Sequence, residues 1–295
     1  MPGSARIGFK TSPQEVDWAT LDATWAAAGE LGAFDSGWMN DHLVHQDRER
    51  GGPSYEALTL MAALAHRVPG LSLGHAVLSN TFRHPVVLAK AATVLDNVTG
   101  GRFIVGLGAG WHEGEHVPFG IDMPPIGERI DRLRSAVRVL KALFSPAAAK
   151  LPGVDLDDRF YPLRGATNEP PPVRAGGPPV WLGGQKPRGL MLAGELGDGW
   201  MLPAAGEGVP EFGERRDAIL RTLDAGGRDP AGFSFAAQVA TGESAKDRRA
   251  ALALGRAFVE AGATDVILGM PARLGPDGLR RVAREVAEPL RQAVG

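Results

Sequence analysis

At 295 residues the chain is too long for a small binding module. It has the length of two average domains, or of one (β/α)8 barrel of about 250 residues with insertions. A 44% hydrophobic and 22% charged composition is that of an ordinary globular protein, and 32 Lys and Arg against 34 Asp and Glu leave a formal charge of −2. That balance argues against nucleic-acid binding by phosphate neutralisation and against a polybasic membrane surface. The absence of Cys excludes disulfides, Cys-ligated zinc, iron–sulfur clusters and a thiol nucleophile. The opening MPGSARIGFK lacks the apolar core of a signal peptide, and no uncharged run approaches a membrane span, so a cytoplasmic enzyme is expected.

Short apolar runs alternate with amphipathic segments. RIGFK (6–10) reads as a first strand, followed by a helix over 14–32 with Trp18, Leu21, Trp25 and Ala28 on one stripe. A second strand at 36–39 leads into the polar stretch NDHLVHQDRERGGPS, in which DRER (47–50) reads as a solvated loop near an entrance. A helix over 55–66 precedes a strand over 71–78. After Pro85, acceptable in a first helical turn, a helix runs to Asn97 and stops before Gly100 and Gly101. RFIVGLG is β-branched and glycine-bounded, the pattern of a buried fourth strand.

Ile130, Leu133, Val137, Leu140 and Phe144 mark the next helix by their spacing. Residues 145–179 carry eight prolines and read as an irregular insertion between strands 4 and 5, because the alternation resumes in phase afterwards. Strands are expected at 180–182, 199–202, 233–241 and 265–268, with helices at 187–196, 211–223, 245–261 and 278–293. Eight strands alternating with eight helices predict an α/β fold, a parallel (β/α)8 TIM barrel formed by one domain over 1–295.

In such a barrel, functional groups gather after the C-terminal ends of the strands. Those positions hold Asn40, Asp41, His42 and His45; Ser79, Asn80 and Arg83; Trp111, His112, Glu113, Glu115 and His116; and Gly183-Gly184-Gln185-Lys186. Two glycines ending a strand before a helix let backbone amides approach a phosphate; a plain turn reads the same way.

Five stretches in order, NDH (40–42), AVLSNTFRHP (76–85), LDNVTGGRFIVGLGAGWHEGEH (95–116), PVWLGG (179–184) and GDGWM (197–201), resemble the bacterial-luciferase-like oxidoreductases, specifically their coenzyme F420-dependent branch. The resemblance spans nearly the whole chain. It implies an oxidoreductase that moves a hydride between F420 and an unidentified organic substrate, working as a homodimer. Carried over by position, it implies His42 as the catalytic proton carrier, with Asp41 touching the cofactor or orienting the imidazole. A non-proline cis peptide is implied at Ala76-Val77, backing the ring, with Ser79, Ala109 and Gly110 beside the cofactor. Gly183 and Gly184 are implied to bind its phosphate, and Trp111 and His112 to line the substrate pocket. The glucose-6-phosphate dehydrogenase branch has an acidic residue where Trp111 stands, which disfavours sugar-phosphate oxidation here.

Competing readings remain at this stage. An FMN-dependent monooxygenase or reductase fits the same barrel, as does a non-catalytic flavin-binding protein. His112-Glu113-Gly114-Glu115-His116 spells H-E-x-x-H, but the glycine and nearby Pro118 make it a loop, so no metal site is expected. Gly106-Leu107-Gly108-Ala109-Gly110 lacks the last glycine of a dinucleotide fingerprint and follows the wrong strand.

Overall fold

The computed structural model describes residues 5–45, 51–202 and 208–294; the DRER stretch lies outside the described residues. In chain order the elements are β1 (Arg6–Thr11), α1 (Trp18–Leu31), β2 (Ser36–Met39), α2 (Ala57–Leu64), β3 (Ser72–His75), β4 (Leu78–Ser79) and α3 (Pro85–Thr99). There follow β5 (Phe103–Gly108), α4 (Glu113–His116), α5 (Ile126–Phe144), β6 (Val154–Leu156), β7 (Leu163–Ala166), β8 (Val180–Gly183) and α6 (Pro187–Leu196). The chain closes with β9 (Gly199–Leu202), α7 (Val209–Ala225), β10 (Ser234–Ala240), α8 (Ala245–Glu260), β11 (Asp265–Gly269), α9 (Gly275–Val282) and α10 (Glu288–Val294).

The large sheet runs β3-β2-β1-β11-β10-β9-β8-β5-β4, and β3 also pairs with β5, so the ring closes. All of its pairings are parallel. β3 and β4 are two halves of one strand, which makes this an eight-position TIM barrel. The expected continuous strand over 71–78 is therefore interrupted, and the interruption is the cis peptide Ala76-Val77.

Side chains that alternate along each strand separate two cores. Facing the helices, Phe9 meets Trp25 edge-on at 5.1 Å and Trp25 Nε1 donates to Thr11 Oγ1. Facing the barrel axis, Trp38, Ile104, Trp181, Met201, Ala236 and Ile267 form a separate cluster, with Trp38 and Trp181 stacked at 5.2 Å. This inner plug fills the barrel below its C-terminal rim, so any ligand must sit above it.

Several boundaries differ from the sequence reading. Helix α1 starts four residues later than expected because Asp17 accepts from Thr20 N and caps it, and Gly32 at φ 62° ends it. Trp18, placed on the buried stripe, is 43% exposed at the first turn. The expected helix over 278–293 is broken by a π turn at Ala283–Ala287. Pro289, lacking an N–H, cannot continue the ordinary ladder there. The Pro-rich insertion holds more regular structure than expected, since β6 and β7 form an antiparallel hairpin. Asn168 Nδ2 donates to Thr93 Oγ1 and Leu143 O, and Arg174 N donates to Asp96, which ties the insertion to α3 and α5.

Candidate functional site

The C-terminal rim is built around two buried ionic groups. After β2, Asp41 and His42 are 4% and 8% exposed. Arg83 binds the Asp41 carboxylate through both terminal nitrogens, at 2.6 and 2.9 Å, and also reaches Glu56. Ser79 N donates to the same carboxylate at 2.9 Å. Burial opposes ionisation of Glu56, but hydrogen bonds from Thr59 and the Arg83 guanidinium outweigh it and bring the carboxyl down to about 2. Burial likewise opposes the Arg83 charge, and Asp41 and Glu56 more than restore it, so this guanidinium titrates above its ordinary range. Asp41 is thus a strut joining the ends of the second and third barrel strands.

His42 has a different partner. Its Nδ1–H donates to Glu115 Oε1 at 2.7 Å, while Leu43 N donates to Glu115 Oε2 at 2.6 Å. One carboxylate, 1% exposed, therefore holds both the imidazole and the backbone that follows it. This contact favours the tautomer with the proton on Nδ1. Glu115 reaches His42 because residues 113–116 form a helical turn, where the sequence reading placed a loop. The orienting carboxylate is Glu115, whereas the sequence reading considered Asp41 for that task.

The other half of the H-E-x-x-H string is equally occupied. His116 Nδ1–H donates to His112 O at 2.8 Å, and Nε2 is hydrogen-bonded to Thr81 Oγ1 at 2.7 Å. Thr81 Oγ1 is in turn hydrogen-bonded to Ser79 Oγ at 2.7 Å. Among the described residues no group of three or more His, Asp or Glu is arranged to hold a metal.

The third barrel strand bulges inward at Ala76-Val77, and its neighbours make room. A Cβ on Gly108 would come within 2.8 Å of Val77 Cγ2, and one on Gly183 within 3.0 Å. Val77 therefore occupies the space above the fourth and fifth barrel strands that larger residues would fill. Gly110, at φ 78°, lies against Ser79: a Cβ there would be 2.7 Å from Ser79 Oγ. Ala109 precedes it, half-buried. Gly184, at φ 147°, has its carbonyl taken by Trp200 Nε1 at 2.8 Å, and no side chain caps the start of α6 behind it. Trp111 and His112 stack at 5.0 Å and meet the His42 ring edge-on at 6.0 and 6.3 Å. Trp111 is 64% exposed and borders the opening. A cavity of 230 Å³ adjoins this rim beside Thr81, Arg83 and Arg129.

The structure thus gathers Asp41, His42, Ser79, Trp111 and His112 around the bulge, with Gly183 against Val77. Sequence reasoning missed Glu115 by setting the whole string aside, and gave Arg83 no task. It also missed Lys10 and Gln238 inside the barrel, whose signal was a polar residue at an inward position near the C-terminal end of each strand.

Comparison with known proteins decides the family. A luciferase-like monooxygenase family model matches residues 6–290. The chain belongs to that family. It is 32% identical over 247 residues to a phthiodiolone/phenolphthiodiolone dimycocerosates ketoreductase of Mycobacterium sp. (strain JLS), covering 76% of this chain and 63% of that one. It is 30% identical over 238 residues to an F420-dependent glucose-6-phosphate dehydrogenase of Nocardia farcinica (strain IFM 10152), covering 75% and 68%. The luciferase-like chain therefore spans roughly two thirds of the length of these relatives, 63% and 68%. Its fold matches that of an F420-dependent secondary alcohol dehydrogenase in complex with an F420-acetone adduct, with a TM-score of 0.79 at 20% identity, over 96% of this chain and 99% of that one.

Proposed function

We propose that this luciferase-like barrel is an F420-dependent oxidoreductase acting on a ketone and its secondary alcohol. The observation that carries the reading is His42, fixed by Glu115 at 2.7 Å at the rim beside the Ala76-Val77 bulge. The F420 dependence of a glucose-6-phosphate dehydrogenase relative and of a secondary alcohol dehydrogenase neighbour supports the cofactor, and the ketoreductase relative together with that alcohol dehydrogenase supports the substrate class.

The rim fits a flat tricyclic group. Val77 supplies an apolar backing, Ala76, Ala109 and Gly110 add little bulk, and the Trp38–Trp181 plug closes the space below. Gly183 and Gly184, with the uncapped start of α6, offer backbone donors to a phosphate. A bound deazaflavin supplies a two-electron hydride carrier. The chain's own task is to hold that ring and the substrate together and to move one proton. His42 Nε2 carries that proton to or from the substrate oxygen, and Glu115 keeps the ring in the productive tautomer and orientation. Ser79 and the Asp41–Arg83 strut fix the backbone under the ring. Trp111 and His112 border the substrate. The chain works as a cytoplasmic homodimer, which sedimentation of the purified protein checks.

Turnover on a panel of small ketones and secondary alcohols, followed by deazaflavin absorbance, tests the reading. His42→Ala is expected to lose about 10²–10⁴-fold in kcat, with F420 affinity within about threefold of the parent. Undiminished kcat in that variant overturns the assignment of His42.

A further inference from the structure

Phe9 and Thr11 face the helices, so Lys10 between them points into the barrel. Its ammonium donates to Gln238 Oε1 at 2.6 Å, and Gln238 Nε2 is itself anchored on Leu202 O at 3.1 Å. Gln238 lies two residues after Ala236, which belongs to the inner plug, so the pair stands on the rim side of that plug. Lys10 is half-buried, and among the described residues no carboxylate lies within 4 Å of it. Two of its three N–H donors have no acceptor among the described residues. Asn40 Oδ1, just after the neighbouring strand β2, is also buried without a partner. The charged groups on β1 and at the ends of its neighbours β2 and β11 are Arg6, paired with Asp265, and Asp35, paired with Arg291, at the opposite end of the barrel, and Asp41, held by Arg83, and His42, held by Glu115, at the rim. An ammonium kept in this position with a neutral partner and spare donors is suited to an oxygen that gains negative charge.

We propose that Lys10, steered by Gln238, contacts the reacting oxygen of the substrate from the floor of the barrel mouth. The inference rests on the ketone–alcohol reading above. In the reducing direction the hydride pair forms the new C–H bond at the carbonyl carbon, and the C=O π pair moves onto oxygen. His42 gives that oxygen its proton, the deazaflavin is oxidised, the carbonyl is reduced, and Lys10 keeps its protons throughout. Burial brings the Lys10 ammonium down to about 8, so it is charged at neutral pH and loses its charge as pH rises through that value.

Acetate, a charged isostere of acetone, is the probe, titrated calorimetrically into F420-loaded and cofactor-free protein. Wild-type affinity is expected to fall roughly tenfold between about pH 7 and 9 as Lys10 deprotonates. Lys10→Met is expected to bind acetate at least about tenfold more weakly at pH 7, with F420 fluorescence quenching unchanged. Gln238→Leu, which keeps the charge but frees it, is expected to weaken acetate less and to retain the pH dependence. Acetate binding that is flat across this pH range, or undiminished in a folded Lys10→Met protein, overturns the proposal. Failure of F420 itself to bind overturns the parent reading instead, and the cofactor-free titration still reports on Lys10.

Discussion

Glu115 touches both the His42 ring and the Leu43 amide, so its charge and its shape have separable consequences. Glu115→Gln keeps the shape and removes the charge that fixes the imidazole tautomer. The expected result is a lower kcat with little change in KM, and a displaced limb in the pH–rate profile. A purely structural role leaves that limb where it is. Glu115→Ala leaves a buried amide and a buried imidazole without their acceptor, which costs about 1–3 kcal/mol of stability; urea denaturation at neutral pH measures it. Glu56 shows a different residue-level linkage. Its folded-state carboxyl, at about 2 against an ordinary 4.5, contributes stability that is fully present above pH 4.5 and lost as pH falls through about 2. Glu56→Gln is therefore expected to flatten the dependence of melting temperature on pH across that acid window, while an unchanged slope removes Glu56 from the account.

At the scale of elements, the inward bulge of the third barrel strand depends on what the fourth and fifth strands omit. Val77 lies where side chains at Gly108 and Gly183 would stand. Adding a methyl group at Gly183 asks Val77 to yield by a few tenths of an ångström, and at Gly108 by more. Gly108→Ala is accordingly expected to cost about 1–3 kcal/mol and to cost more than Gly183→Ala. Paired thermal melts check the order, and equal melting temperatures in the two variants contradict it. Most elements were legible because their burial period was legible: β2, α6 and β9 fall where alternation and helical spacing placed them. The misses are local and have chemical causes. A cap at Asp17 shortened α1, Pro289 broke the last helix, and a hairpin inside the proline-rich insertion carries too few residues to show a period. The cis Ala76-Val77 bond was reachable through resemblance alone, since nothing in the strand's composition distinguishes it.

Across the whole molecule, closure of the ring puts residues far apart in sequence onto one rim. His42 and Glu115 are 73 residues apart, and Lys10 and Gln238 are 228 apart. Candidate residues at strand ends could be named from the sequence because a barrel restricts where chemistry can sit. Which of them pair could not be read, because pairing depends on register and side-chain direction across different βα units. Hence His42 was found and its partner was not. The same closure explains why one small apolar plug suffices to give the mouth a floor, on which Lys10 stands. The relatives' names spread over ketone reduction and sugar-phosphate oxidation, so the shared frame does not by itself set the substrate.

A barrel that holds a deazaflavin prefers F420 to FMN. Parallel titrations of the purified chain with F420 and with FMN, followed by quenching of ligand fluorescence, test it most directly. Saturable F420 binding at micromolar or tighter affinity is expected, with at least about 100-fold weaker FMN binding, a difference of about 2.7 kcal/mol. Tight FMN binding with no F420 binding contradicts it and assigns the rim to flavin chemistry.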